Sequence, residues 1–395
     1  MRVVVVLALL VAMAAVARAP AQEAPGPVRI GVLGLEQTEQ GSAIAARMAA
    51  EDAGIVLGRR VEILVADHQG KPDIGSAIAA RWFDRDGVDA IADVPVSSVA
   101  LAVQEVARTR HKIVLFSLAG TSDLTGKDCS PTSFQWTFDT YALANGIASA
   151  LVAARGKTWF FITADYAFGH ALERDARAAV EAAGGSVIGD VQHAMFTPDL
   201  SAFVLRAHQS GAQVIALANA GPDTVNAIKA AAEFGVVGSG QKLAALLMSI
   251  DQVQGIGLRA AQGLDLVSSF YWDMDEQTRA WSARFAERYG GWKPNMFQAG
   301  VYSAIRHYLK AVAAAGTDDG PTVAAKMRQM PVDDFMMHNA RIRADGRVMH
   351  DFYLFQVKSP AESKAPWDDF KLLRTIPAEQ AARPENEGGC PLVTR

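Results

Sequence analysis

The sequence predicts an α/β protein made of two doubly wound, parallel-sheet lobes. Three observations carry that expectation. Short apolar, β-branched runs alternate with amphipathic or Ala-rich stretches, the pattern of parallel strands with helices on both faces. The alternation runs through residues 28–116 and starts again after Asp139. Its strands end in clusters of small polar residues, most clearly over residues 112–123, KIVLFSLAGTSD. Ile113, Val114, Leu115 and Phe116 form a run that reads as a buried parallel strand. Ser117, Ala119, Gly120, Thr121 and Ser122 stand at its carboxyl end, where open α/β sheets bind ligands. Small residues let backbone N–H groups approach an anion, and hydroxyls add donors. The same residue types also make ordinary turns.

In the first lobe, residues 28–33 (VRIGVL) are a strand and 34–41 a loop. Residues 42–52 place Ile44 and Met48 on one helix face. Residues 60–66 (RVEILVA) alternate as a second strand. A helix starts at Asp73, an N-cap residue type, and runs through Trp82 and Phe83. Residues 88–93 are a third strand, followed by Pro95, Val96, Ser97 and Ser98. Residues 99–109 are a helix leading to the strand at 113–116.

The second lobe repeats the scheme. Residues 143–154 are helical, and 158–163 (TWFFIT) form a strand ending in ADYAFG. Residues 171–183 are a helix closed by Gly184 and Gly185. A short strand at 186–189 and a helix at 200–210 precede the strand 213–218, which ends in Asn219, Ala220 and Gly221. Residues 223–234 are helical and 242–248 a strand. Beyond Gly263 the order mixes. Residues 265–270 are a strand, and 275–289 a helix with Trp281, Phe285 and Tyr289 on one face. Residues 297–315 and 323–330 are helices. Residues 337–342 and 353–357 read as closing strands around the Asp345-Gly346 turn, before a Pro-, Lys- and Glu-rich tail from Ser359.

Composition narrows the function. The chain has 395 residues, 50% hydrophobic and 20% charged, which suits about two domains. Lys and Arg number 38 against 42 Asp and Glu, with no basic stripe, so no nucleic-acid partner is expected. Arg2, the apolar run 3–16 and Ala19-Pro20-Ala21 form an export signal, with cleavage expected after Ala21. The run is short for a membrane span. Two cysteines in an exported protein, Cys129 and Cys390, favour one disulfide over two free thiols.

Motifs for chemistry are weak. Gly255, Gly257 and Ala260 match GxGxxA, but no strand leads directly into them and no acid follows at the dinucleotide spacing. Asp273 and Asp275 suit a helix N-terminus. The eight His form no HxxxH, and there is no GxSxG or Walker sequence. No metal, cofactor or catalytic residue is expected. An α/β hydrolase-like enzyme, with a triad assembled in three dimensions, is the alternative of another class. Tyr166, Phe168, Phe270, Tyr271 and Trp272 follow strand ends and are placed to close over an apolar ligand. Trp159, Phe160, Trp281 and Phe285 read as core.

The export signal, VRIGVLG, PVSSVA, FSLAGTSDLTG, FITADYAFG and PNMFQAGVYSA together resemble the solute-binding proteins of branched-chain amino acid ABC transporters. These are type I periplasmic binding proteins of the leucine/isoleucine/valine kind. The likeness runs from about Val28 to Val357. It implies a three-segment hinge, with crossings near Asp139, Asp265 and Ile342. Lobe 1 would be 28–139 plus 266–342, and lobe 2 140–265 plus 343–358. Residues 359–395 would be a tail tied back by the disulfide.

The resemblance also implies roles. Ser97 and Ser98 match a first-lobe serine contact. Ala119, Gly120 and Thr121 match the loop that holds a ligand carboxylate. Asp139 matches the acid that pairs with an α-ammonium, and Phe168 or Tyr166 the aromatic over the ligand. Asn219 and Gly221 match a second-lobe contact loop. Asp251 is the nearest match for the second acidic partner, and Tyr271 joins the aromatic set. The implied function is capture of a small apolar amino acid in the periplasm for a membrane permease, by a monomer. The aromatic-rich loops open the alternatives of an aromatic carboxylate, amide or urea-type ligand.

Overall fold

The computed structural model describes residues 26–154 and 156–393; the expected export signal at 1–21 lies outside them. Two α/β lobes form, with an antiparallel sheet packed beside the second.

The first lobe contains β1 (Val28–Gly34), α1 (Glu36–Ala53), β2 (Ile55–Val56), β3 (Arg59–Asp67), α2 (Pro72–Asp84), β4 (Ala90–Asp93), α3 (Ser97–Thr109), β5 (Ile113–Phe116) and β6 (Ser133–Gln135). The sheet order is β2-β3-β1-β4-β5-β6, parallel except that β2 turns back on β3. Ile30 pairs with Ile63 on one side and Ala90 on the other. Ala45, Ala46 and Met48 of α1 pack one face, and Trp82 of α2 with Val99 and Val103 of α3 the other. A strand covered on both faces carries apolar residues without alternation, which is why residues 113–116 are buried throughout.

The second lobe contains α4 (Thr140–Ala153), β7 (Thr158–Ala164), α5 (Ala167–Ala182), β8 (Ser186–His193), α6 (Ser201–Gln209), β9 (Val214–Ala218), α7 (Pro222–Glu233), β10 (Lys242–Ala245), α8 (Ile250–Ile256) and α9 (Leu258–Ala261). Its parallel sheet runs β10-β9-β7-β8. Then come β11 (Asp265–Ser268), α10 (Glu276–Arg288), α11 (Met296–Ala315), α12 (Gly320–Gln329), β12 (Arg341–Ile342), β13 (Val348–Met349), β14 (Phe352–Val357), β15 (Phe370–Ile376) and α13 (Ala378–Ala381). Helices α10 and α11 return to the first lobe and pack on α1.

Several expectations are corrected. Helix α1 begins at Glu36, within the expected loop, and Lys71 rather than Asp73 stands at the N-cap position of α2, without a side-chain cap, with Asp73 in its first turn. Strand β8 extends to His193, and β6 was not foreseen. The Asp345-Gly346 turn joins β12 to β13; β14 pairs instead with β11 and β15. The expected tail supplies β15. Its ends, Phe370 and Ile376, are buried while the residues between face solvent, so its apolar signal was thin. The third crossing lies past Ile342: Arg347 still bridges Gln135 at the edge of the first sheet, and the chain passes over between Met349 and Phe352.

Cys129 and Cys390 are joined in a disulfide that ties the chain's end to the loop after β5. Asp139 caps α4 by accepting the Ala142 N–H at 2.7 Å.

Candidate functional site

Each parallel sheet has one point where successive connections leave in opposite directions, and the crevice there is the usual ligand site. In the first lobe it lies between β1 and β4, in the second between β7 and β9. The carboxyl ends of both sheets carry the loops singled out in the sequence.

Across these ends, a cavity of about 530 Å3 lies between the lobes. Ser42, Leu118, Tyr289, Trp292, Lys293, Asn295, Phe297 and Gln298 line it from the first lobe. Ala220, Gly221, Pro222, Val225, Asn226, Leu247, Ser249, Asp251, Gln252 and Gly255 line it from the second. Most of the wall is apolar, with polar groups at a few points, as in pockets that bind small molecules.

The polar groups are fixed by a helix cap. Asn295 Oδ1 accepts the N–H groups of Phe297 at 3.0 Å and Gln298 at 3.3 Å, and Gln298 Oε1 accepts the Asn295 N–H at 2.9 Å. Asn295 Nδ2 is left free to donate to Asp251 Oδ1 at 2.8 Å, linking the two lobes. Gln298 fits because residue 41 is glycine; a Cβ there would lie 2.5 Å from Gln298 Nε2. At the rim, Lys293 Nζ sits 4.6 Å from the centroid of the Trp272 ring, a cation–π contact. Trp292 meets the Trp367 ring edge-on at 5.2 Å.

Of the residues expected from the sequence, Gly221 and Asp251 line the cavity, and Leu118 lines it beside Ala119. The rest are engaged elsewhere. Ser97 Oγ accepts the Thr121 N–H at 3.1 Å, and Ser98 follows it in the first turn of α3. Thr121 Oγ1 accepts from the Asp123 N–H at 3.3 Å. Gly120 is wedged between two rings; a Cβ there would lie 2.4 Å from Phe138 and 2.8 Å from Phe168. Phe168 is therefore a buried contact between lobes, with Tyr166 packed 6.0 Å away. Asn219 donates to His193 Nε2 at 3.2 Å and accepts from the Thr224 hydroxyl at 2.8 Å, so its amide serves the second lobe's interior. Tyr271 is core: its hydroxyl donates to the Trp367 carbonyl at 3.0 Å, and its ring packs on Phe355 and Phe370.

Asp139 is engaged away from the cavity lining. Its Oδ2 lies 2.8 Å from Arg347 Nε, both side chains nearly unexposed. With its other oxygen capping α4, it belongs to the hinge rather than to the cavity wall. Sequence reasoning missed the pairing because its partner stands 208 positions away, after a chain crossing (347 minus 139).

Further polar contacts hold the lobes together. Asp175 of α5 accepts from the hydroxyl of Ser122, across from the first lobe, at 2.7 Å, and from that of Thr140, in its own lobe, at 2.5 Å. Arg174 donates to Asp123 at 3.1 Å. Beneath the first-lobe crevice, Asp93 is unexposed, and burial pushes its carboxyl up to about 7, only partly opposed by the Ser42 hydroxyl. It stands in a strained turn: Asp93, Val94 and Val96 all have positive φ, at 78°, 51° and 71°. Burial also raises Tyr166, with the Asp223 carboxylate adding to the effect.

The lining residues missed in the sequence include Ser42, Tyr289, Trp292, Lys293, Asn295, Phe297 and Gln298. A signal existed for two of them. Asn295 followed three residues on by Gln298, before an apolar run, is a capping-box pattern. It marks a helix start, and only the fold turns that start toward the cleft.

The family model described as periplasmic binding protein matches residues 27–364. A crystal structure of a periplasmic binding protein from Burkholderia mallei is 44% identical, covering 93% of this chain and 99% of that one, with a TM-score of 0.90. A branched-chain amino acid ABC transporter periplasmic ligand-binding protein from Burkholderia xenovorans is 35% identical over 92% of this chain and 99% of its own, with a TM-score of 0.82. Among curated proteins, a Leu/Ile/Val-binding protein homologue from Brucella melitensis is 28% identical over 225 residues, 55% of this chain. The match spans only 57% of that relative's length.

Proposed function

Because this chain belongs to the periplasmic binding protein family, we propose that it captures a small apolar amino acid in the inter-lobe cavity and presents it to the membrane permease of an ABC importer. Export to the periplasm, cleavage after Ala21 and action as a monomer without catalysis belong to the same proposal. The single observation that carries it is a cavity of about 530 Å3 walled by both lobes at their strand ends.

The chemistry fits. Leu118, Val225, Leu247 and Phe297 give an apolar wall for a side chain. Asp251, with one oxygen oriented by Asn295, offers a carboxylate to an ammonium. The Asp175–Ser122 contact, with Phe168 seated on Gly120, joins the two lobes. A ligand favours a closed state only as far as it binds it better than the open one. The relative from Burkholderia xenovorans supports the branched-chain class. Tyr289, Trp292 and Phe297 in the wall favour a second reading, an aromatic carboxylate.

A thermal-shift screen over aliphatic and aromatic amino acids, amides and aromatic acids tests the proposal, since a ligand that prefers the native state raises Tm. A hit recovered chemically unchanged after long incubation is the expected result. Turnover of the hit would instead support a hydrolase-like enzyme.

A further inference from the structure

We infer that the C-terminal tail is a strap across the hinge, a fourth link between the lobes, and that the Cys129–Cys390 disulfide locks it so that it limits how far the lobes turn against each other. The inference goes beyond ligand capture, and its test needs no ligand.

The tail leaves the second lobe beside the third crossing. Strand β15 pairs with β14, and its last residue, Ile376, packs on α4, where a Cβ on Gly146 would lie 3.0 Å from Ile376 Cδ1. The Ala378 N–H donates to Asp351 Oδ1 at 2.9 Å, within the segment that passes between the lobes. Asn145 of α4 donates to the Gln380 carbonyl at 2.8 Å. Arg341 of the first lobe meets Glu379 at 2.7 Å, but both side chains are exposed and the pair carries little weight. Through Gln380 the tail is therefore anchored on the second lobe.

By Arg383 it is fixed to the first lobe. Arg343 Nη1 donates to the Arg383 carbonyl at 2.7 Å, and the Ala344 N–H donates to Glu385 Oε1 at 3.0 Å. Arg383 Nη2 donates to the Ser122 carbonyl at 3.0 Å. The tail then runs so close to the loop after β5 that a Cβ on Gly126 would lie 2.8 Å from the Gly388 carbonyl oxygen. Cys390 closes on Cys129 in the same loop, both of them buried. Between the two sets of anchors stand only Ala381 and Ala382, also buried, so the strap has no slack loop. The chain from Gln380 to Arg383 spans at most about 11 Å fully extended. A lobe rotation that would carry these anchors further apart breaks hydrogen bonds, which water can replace, and then meets the disulfide, which it cannot break.

The test is a pulsed electron–electron distance measurement on the full chain. Spin labels carried on p-acetylphenylalanine replace Ala77 of α2 and Ala202 of α6, one exposed position on each lobe, and leave both cysteines native. Wild type is compared with Cys129→Ser/Cys390→Ser and with a slack variant. The slack variant keeps the disulfide but carries a flexible Gly-Gly-Ser-Gly-Gly-Ser insertion between Ala382 and Arg383. Both variants are expected to show a broader inter-lobe distance distribution, reaching separations that wild type does not populate. Because the slack variant retains the cross-link, broadening there does not come from a loosened fold. A wild-type distribution in either variant overturns the inference. In the slack variant it would make the disulfide a stabiliser of the fold alone, and in the serine variant it would make hydrogen bonds sufficient to hold the tail.

Discussion

Asp139 and Arg347 face each other across the hinge, Oδ2 to Nε at 2.8 Å, where the first and third crossings meet. Arg347 also donates to the Gln135 carbonyl at 3.2 Å, and its guanidinium lies over Phe352 at 5.6 Å. The pair joins a residue entering the second lobe to a segment leaving the first.

Asp139→Ala should therefore act on stability before it acts on ligand. It leaves Arg347 buried without its partner and removes the cap of α4. Losing one member of a buried pair costs about 3–5 kcal/mol, and a lost cap about 1 kcal/mol more. Urea titration should show a large drop in midpoint. A variant as stable as wild type, with amino-acid binding abolished, would return Asp139 to the ligand site.

Asp93 gives a pH signature. Burial raises its carboxyl to about 7 in the folded chain, against 3.8 for an ordinary aspartate. Between those values the folded state holds a proton that the unfolded state has lost. Stability from this group is thus greatest at low pH, falls as pH rises toward 7, and is level above it. The separation corresponds to about 4 kcal/mol. His350 works the other way. Burial lowers it to about 4 from 6.5, so the unfolded chain gains a proton first as pH falls and stability declines below 6.5. Asp93→Asn should remove the first trend, with its advantage over wild type growing from pH 4 to about pH 7 and level beyond. Parallel stability curves for the two proteins would contradict this.

The disulfide closes a loop with a sequence separation of 261 residues. Cys129→Ser with Cys390→Ser should lower stability by about 2–5 kcal/mol, chiefly by freeing the unfolded chain. Arg383, which donates to the Ser122 carbonyl at 3.0 Å, should lose its fixed position as the tail end is released. Limited proteolysis of residues 383–393 in the variant, and not in the oxidised wild type, is the expected readout.

Trp292 reports on the cavity mouth. It lines the cavity, is 45% exposed, and packs on Trp367. A hit from the ligand screen should shift wild-type tryptophan emission to shorter wavelength as the rim is shielded. Trp292→Phe should remove most of that change. An undiminished shift in the variant would place the signal at another tryptophan.

Most strands and helices were legible because periodicity is local. Apart from Arg29, VRIGVL, IVLF and VIALA are apolar without alternation, and chains buried on both faces require that. Resemblance located the cleft-facing loops at the strand ends, and of the residues it named only Gly221 and Asp251 line the cavity. Ser97, Thr121 and Asn219 are polar residues at such ends, yet each satisfies a buried group of its own lobe. Residue type and position along a strand do not reveal which partner a hydroxyl or amide will find.

The sequence by itself determined the two lobes and favoured the cysteine pair, since burial on both faces of a sheet and a shortage of other thiols are written in composition and order. It also marked the strand ends where a ligand belongs. Tertiary structure alone decided which side chains line the cavity. Lys293, Asn295 and Gln298 reach it only because α10 and α11 return to the first lobe, and Asp139 is withdrawn from it only because Arg347 arrives from the third crossing. Those outcomes depend on distances between residues far apart in the chain, which packing sets and local propensity does not.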